Sequence, residues 1–244
     1  MRPHATLRSS PDRTVSGGVH DGAMTRNAAV KKARRPEIRP PVLAPFMDPA
    51  LEPDGDYDGM EFTGLDLAGQ DGGGAHFLDC RLDGVALDET RLTRARFVDT
   101  VLTGVRGVGT DLAEAVLRDT EVLDARMGGV QLHGARLERV MIRGGKIDYL
   151  NLRQAGLKDV VFESVVLAEP DFGGAALERV EFHDCVLKGV DFSGARMTDV
   201  DLRGATRLEI ARGTEGLRGA VISPPQLMDL AGHFAAHLGV RVEN

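Results

Sequence analysis

Large apolar residues return every five positions over more than half of this 244-residue chain. Stepping by five from Phe62 to Leu202, 27 of 29 positions are large and apolar, and the exceptions are Gly72 and Gly107. An α-helix would rotate each such step by about 140° and scatter these side chains around its axis, so a helix is excluded. Two residues earlier in each pentad runs a second register, from Ala75, Cys80, Val85 and Thr90 to Ala205, filled mainly by small or β-branched residues; Gln70 is its one large polar member. Two inward positions separated by one outward residue match the alternation of a β-strand. The two consecutive outward residues that remain break this alternation once per pentad, which requires a corner. The residue two places after the large apolar one is Gly in 13 of 29 pentads, as a corner with positive φ favours. A chain that turns every five residues while keeping one side dry has to coil.

Stretches such as Val190-Asp191-Phe192-Ser193-Gly194, Ala195-Arg196-Met197-Thr198-Asp199 and Val200-Asp201-Leu202-Arg203-Gly204 resemble the pentapeptide-repeat proteins, whose motif reads approximately A(D/N)LXX. The resemblance covers residues 60 to 206 and implies an all-β solenoid, a right-handed quadrilateral parallel β-helix with four pentads per coil. At about 4.8 Å per strand, the 29 pentads would form about seven coils in a rod roughly 34 Å long. Gly72, Gly107 and Pro170, the last at a small inward position, depart from the motif.

The flanks are of different material. Residues 1–45 carry nine Lys/Arg against three Asp/Glu, include the basic run Lys31 to Arg35, and show no apolar period. They read as a disordered basic arm, with Met24 as an alternative start. Residues 46–59 read as an acidic, Pro-containing linker, and 60–222 as the β-helix. After Ala205 the register fades, with Arg207 and Arg212 at positions where large apolar residues are due. Ser223-Pro224-Pro225-Gln226 is a helix start with a capping box, and Leu227, Leu230, Ala231, Phe234 and Leu238 share one helical face. Residues 223–244 are therefore expected to form a C-terminal capping α-helix and tail, with Leu227, Leu230, Phe234 and Leu238 closing the solenoid end or joining two copies. Val240 to Val242 are expected to add a short strand.

Candidate chemistry is sparse. Cys80 and Cys185 both fall on the small inward register, about five coils apart, and are expected to be separate buried thiols. Asp229, His233 and His237 recur at i, i+4 and i+8, which is metal-ligand spacing, but no further Cys/His cluster accompanies them, so neither metal nor cofactor is expected. His76, His133 and His183 fall on outward positions. The sequence has no nucleophile elbow and no phosphate loop, and outward carboxylates on a convex rod lack a cleft to tune them, so an enzyme is not expected. Tyr149, flanked by Lys146 and Asp148, stands at an outward corner and is a candidate contact spot.

Function then reads as a non-enzymatic protein-protein interaction scaffold in the cytoplasm, since no apolar run of 18 residues or export signal is present. The family resemblance implies an alternative, a DNA mimic that modulates or protects a type II topoisomerase such as DNA gyrase. With four pentads per coil, the face centred on Phe62, Leu82, Leu102 and onward to Leu202 carries a net charge of −5, and Glu121, Asp124, Glu163, Glu181 and Asp184 are its candidate partner-binding acids. Duplex DNA would present about 20 charges over the same length, so the mimicry is weak. Binding of the chain to nucleic acid or to a membrane is not expected.

Overall fold

The computed structural model describes residues 29–39, 41–48 and 50–243; the proposed start at Met24 and the first 28 residues of the arm lie outside them. The chain forms a parallel β-solenoid of about nine turns followed by one helix, Pro224–His237. The pairing register supplies what periodicity alone did not, the number of sides. Leu137 lies on Leu117 below and Leu157 above, and Leu157 on Leu177, each pair 20 residues apart. Four pentads therefore make one coil.

The corner is the same throughout. Every fifth residue from Asp54 to Asp199 has positive φ, and 17 of these corners are not glycine. Eight of the 17 are aspartate, a residue that tolerates the left-handed region better than most. Asp71, Asp111, Asp171 and Asp191 accept the backbone N–H two residues on, at 2.9, 3.0, 2.8 and 2.8 Å, which bends the chain ahead of the next corner.

Inside, side chains stack on their counterparts one coil away. Phe77 lies over Phe97 with ring centroids 4.7 Å apart, and Phe162 over Phe182 at 4.8 Å, the strand spacing in both cases. Polar residues of the small register are satisfied within the wall: buried Thr90, Thr100, Thr110 and Thr120 donate their hydroxyls to carbonyls 23 residues back, at 2.9, 3.1, 2.7 and 3.3 Å. Gln70 accepts the Leu51 N–H at 2.8 Å.

The solenoid begins earlier than the sequence predicts. Tyr57 continues the large register one pentad before Phe62 and is buried, and Asp56–Asp58 pairs with His76–Leu78. Phe46, in the expected linker, stacks on Phe62 at 4.3 Å. Gly72 keeps its place because Leu51 and Leu92 fill the space its side chain would take; an added Cβ would lie 3.1 Å from each. Pro170 sits buried within an unbroken coil, accepting the Asp191 N–H at 3.0 Å.

The fading register has a simple cause. Cys185 pairs with Ala205 at the regular spacing, but Val186 pairs with Arg207 and Leu187 with Leu208, so an extra residue after Ala205 shifts the apolar position from Arg207 to Leu208. The 20-residue spacing returns where Val190 pairs with Ile210, slips once more where Asp191 pairs with Arg212, and holds again where Val200 pairs with Ala220. Beyond it, Ser223 and Gln226 form the expected capping box. The Gln226 side chain also donates to the carbonyls of Leu202 and Ala205, at 2.8 and 3.0 Å, covering an open edge of the last coil. Leu230 is buried and Phe234 packs partly against the core, whereas Leu227, Ala231 and Leu238 face away. The expected single helical face is thus divided, because Gln226 rather than Leu227 turns toward the edge. Val240 to Val242 form no strand.

A candidate peptide-binding face

The basic arm is not a disordered tail where it is described. Residues 31–35 run along the outside of the solenoid from its later coils toward its earlier ones. The backbone N–H of Lys31 donates to Asp199 at 3.2 Å, that of Ala33 to Glu181 at 2.6 Å, and that of Arg34 to Asp159 at 3.1 Å. Arg35 reaches Glu163 through Nη1 at 3.1 Å and contacts the Met141 sulfur at 3.6 Å. Pro36 is buried. Farther on, Ala44–Pro45 pairs in parallel with the coil at Met60–Glu61, so the segment extends over most of the rod.

The track beneath this segment is built by two stacked columns. One follows the corner and alternates in charge over its central part. Arg139 grips Asp119 in a two-pronged ion pair with both distances 2.6 Å, and Arg179 grips Asp159 likewise at 2.6 and 2.8 Å. Asp159 is almost fully buried, and the Arg179 guanidinium, foremost among its neighbours, holds its carboxyl below the usual carboxylate range. Asp99 in the same column is pushed up by burial and then by Asp119 and Asp79. The second column is the outward stack Val101, Glu121, Met141, Val161, Glu181 and Asp201. Outward residues of a solenoid normally face water, yet Met141, Val161 and Glu181 are buried. Glu181 also meets His183 Nε2 at 2.6 Å.

Of the acids that the sequence nominates on this face, the structure brings Glu163 and Glu181 under the arm. Glu121 is half-buried on the same stack, while Asp124 and Asp184 are exposed corners. Sequence reasoning missed Asp159, Asp199, Met141 and Val161. The available signal was the pair of apolar residues Met141 and Val161 at outward positions of the face whose charge opposes that of the arm.

Apart from His183, the other candidates lie off this track. Tyr149 is a left-handed corner, 60% exposed, and the adjoining Lys146 and Asp148 pair with each other at 2.7 Å. Cys80 and Cys185 are buried free thiols; burial pushes Cys80 up to about 11 and raises Cys185 as well. Among the described residues no three His, Cys, Asp or Glu side chains gather closely enough to hold a metal, so the structure does not bring Asp229, His233 and His237 together. His183, expected at the surface, is half-buried against Glu181. No helix among the described residues is long and apolar enough to cross a membrane.

A four-sided parallel β-solenoid with a left-handed corner every fifth residue defines the structural class. Residues 75–152 match the model of a pentapeptide repeat region, and residues 171–204 that of pentapeptide repeats in eight copies. The chain belongs to the pentapeptide-repeat proteins. Among solved structures it is similar to HetL, a pentapeptide repeat protein involved in heterocyst differentiation regulation from the cyanobacterium Nostoc sp. strain PCC 7120, at 21% identity, over 69% of this chain and 90% of that one, with a TM-score of 0.37. It is also similar to full-length QnrB1, a plasmid-mediated fluoroquinolone resistance protein, at 16% identity, over 78% and 99% of the two chains, with a TM-score of 0.39. No curated protein matches the sequence.

Proposed function

We infer that this chain is a non-enzymatic scaffold that engages a protein partner through its outward faces. The observation that carries this reading is the division of labour in each pentad: the inward positions are spent on the stacked apolar interior, and nearly all charge lies on long outer faces. One of these faces already holds an extended peptide segment. A rod of this kind offers repeated, evenly spaced side chains to another surface and no enclosed cleft between two domains. The exposed corner Tyr149, beside Lys146 and Asp148, is the contact we assign to the partner outside the arm track. A photo-crosslinking residue at position 149, compared with one at the exposed position Asp124, tests this. A single partner captured at 149 and not at 124 is expected; no capture at either site overturns the reading.

The family resemblance brings DNA gyrase in as the alternative partner through mimicry of DNA by the acidic face. The arm weakens that reading: described residues 29–39 hold five cations and one carboxylate, a net of +4, laid over a face of net −5. A supercoiling assay with purified gyrase, run with and without the protein, decides it. Inhibition at submicromolar protein, lost in Glu163→Gln/Glu181→Gln, supports the mimic; no effect at tens of micromolar removes it. The exposed Leu227 and Leu238 of the terminal helix support association of two copies, which light scattering tests as a doubled mass.

A further inference from the structure

We propose that the track along Asp159, Glu163, Glu181 and Asp199 is a recognition groove for an extended, Lys/Arg-rich segment of a protein partner, and that the chain's own arm is its resident, displaceable occupant. The proposal deepens the scaffold reading and rests on it. Three of the arm's recognised groups are backbone N–H donors, from Lys31, Ala33 and Arg34, each received by a side-chain carboxylate. Main-chain donors are common to every non-proline residue, so these contacts select an extended backbone and not a particular sequence. Cation selection comes from Glu163, which receives the Arg35 guanidinium, and from the net −5 of the face. Apolar selection comes from Met141 and Val161, which lie buried at outward positions in the neighbouring stack. Together these choose an extended basic peptide over an acidic peptide, a helix or a nucleic acid.

The manner of attachment makes the occupant exchangeable. The Arg35 to Glu163 ion pair is half exposed, and exposed pairs contribute about 0–1 kcal/mol and weaken with salt. Lys31 and Lys32 are exposed. Tethering adds to these contacts an effective concentration of about the millimolar order. A competing segment of similar contacts is therefore excluded from the resting chain and admitted once the arm is disabled or bound elsewhere.

The test uses the full chain and a fluorescent synthetic peptide of residues 29–39. Polarisation titrations compare the wild type with K31E/R34E/R35E, in which the arm's charge opposes docking. The peptide is expected to bind the arm variant at least tenfold more tightly than the wild type, and to lose at least tenfold when NaCl rises from 50 to 500 mM. Adding Glu163→Gln and Glu181→Gln to the arm variant is expected to abolish binding, with an unchanged circular dichroism spectrum showing that the coils remain. Absence of peptide binding by a folded arm variant overturns the proposal, as does equal binding by variant and wild type. A doubled wild-type mass that K31E/R34E/R35E returns to that of a monomer would overturn it in favour of arm exchange between two copies. Failure here with capture at position 149 intact removes the groove alone, whereas peptide binding without any capture there removes the scaffold reading instead.

Discussion

Ala33 donates its backbone N–H to Glu181 at 2.6 Å across 148 positions of sequence, joining a segment of no evident periodicity to the most regular part of the chain. The carboxylate is held ready by His183 on its other oxygen. Replacing Glu181 with Gln keeps an acceptor oxygen but removes the charge, and charge-assisted hydrogen bonds are roughly twice as strong as neutral ones. A dye attached through Lys32→Cys should then tumble more freely, while the melting temperature of the coils stays within a few degrees of wild type. Unchanged polarisation would show that Glu181 does not hold the arm.

Acid should release the arm. The folded-state pKa of Asp159 lies below its unfolded value, chiefly through Arg179. Its stabilising contribution is therefore complete above about pH 4, the range where the unfolded carboxylate is also ionised, and is lost as pH falls through the lower folded value. Polarisation of the dye at position 32 should stay constant from pH 7 to 5 and drop below pH 4. A drop centred near pH 6 would overturn the role given to Asp159.

Asp159 is buried and Arg179 half-buried, so Asp159→Asn removes the two-pronged charge partner and leaves the guanidinium with Glu178 alone. A loss of about 2 kcal/mol is expected in urea unfolding. Arg179→Lys should recover little of the geometry and cost about 1 kcal/mol, because an ammonium cannot match both oxygens.

Gly107 tests whether the repeat should be restored where it lapses. An apolar cavity of about 60 Å³, lined in part by Leu87, Leu102, Leu112 and Met127, threads the surrounding coils. Periodicity alone recommends Gly107→Leu to fill it. An added Cβ, however, would lie 2.7 Å from the carbonyl carbon of Leu87, so the backbone has already moved into the vacated space. The substitution should destabilise by about 1–3 kcal/mol, as overpacking does. A higher melting temperature would refute this.

In the middle of the stack, Leu152 is 1% exposed, and Leu152→Asp would bury a charge with no partner. Loss of soluble protein is expected. The native thiols supply a gentler probe: with Cys80 buried and pushed up to about 11, and Cys185 also raised, neither should react with a thiol reagent at pH 8 until urea unfolds the chain. Fast labelling of the unmodified chain would contradict the burial of both.

The coil was legible because each of its contacts is repeated. Phe77 and Phe97 meet one coil apart, and a 20-residue neighbour leaves its mark as a five-residue period. What periodicity could not supply was anything that happens once. Leu51 fills the space beside Gly72 without belonging to the register, and the single extra residue ahead of Leu208 moves the apolar position by one. Gln226 turns inward at the solenoid end and takes the place that Leu227 was expected to hold. The arm track was hidden for the same reason. Asp159 and Asp199 look like ordinary corner residues until a segment more than 120 positions away reaches them, and no local pattern records so distant a pairing.

The docked arm also changes how the molecule must assemble. A solenoid joins only neighbouring turns, so its coils can form in sequence, each on the edge of the one before. Lys31 meets Asp199, 168 positions later, and its seat exists only when the late turns are in place. Closure of so long a loop is slow, and it comes after the local stacking that builds the site. The arm thus acts as a clasp fastened last: a molecule with its arm seated has completed its turns, and one stalled partway leaves the basic segment loose.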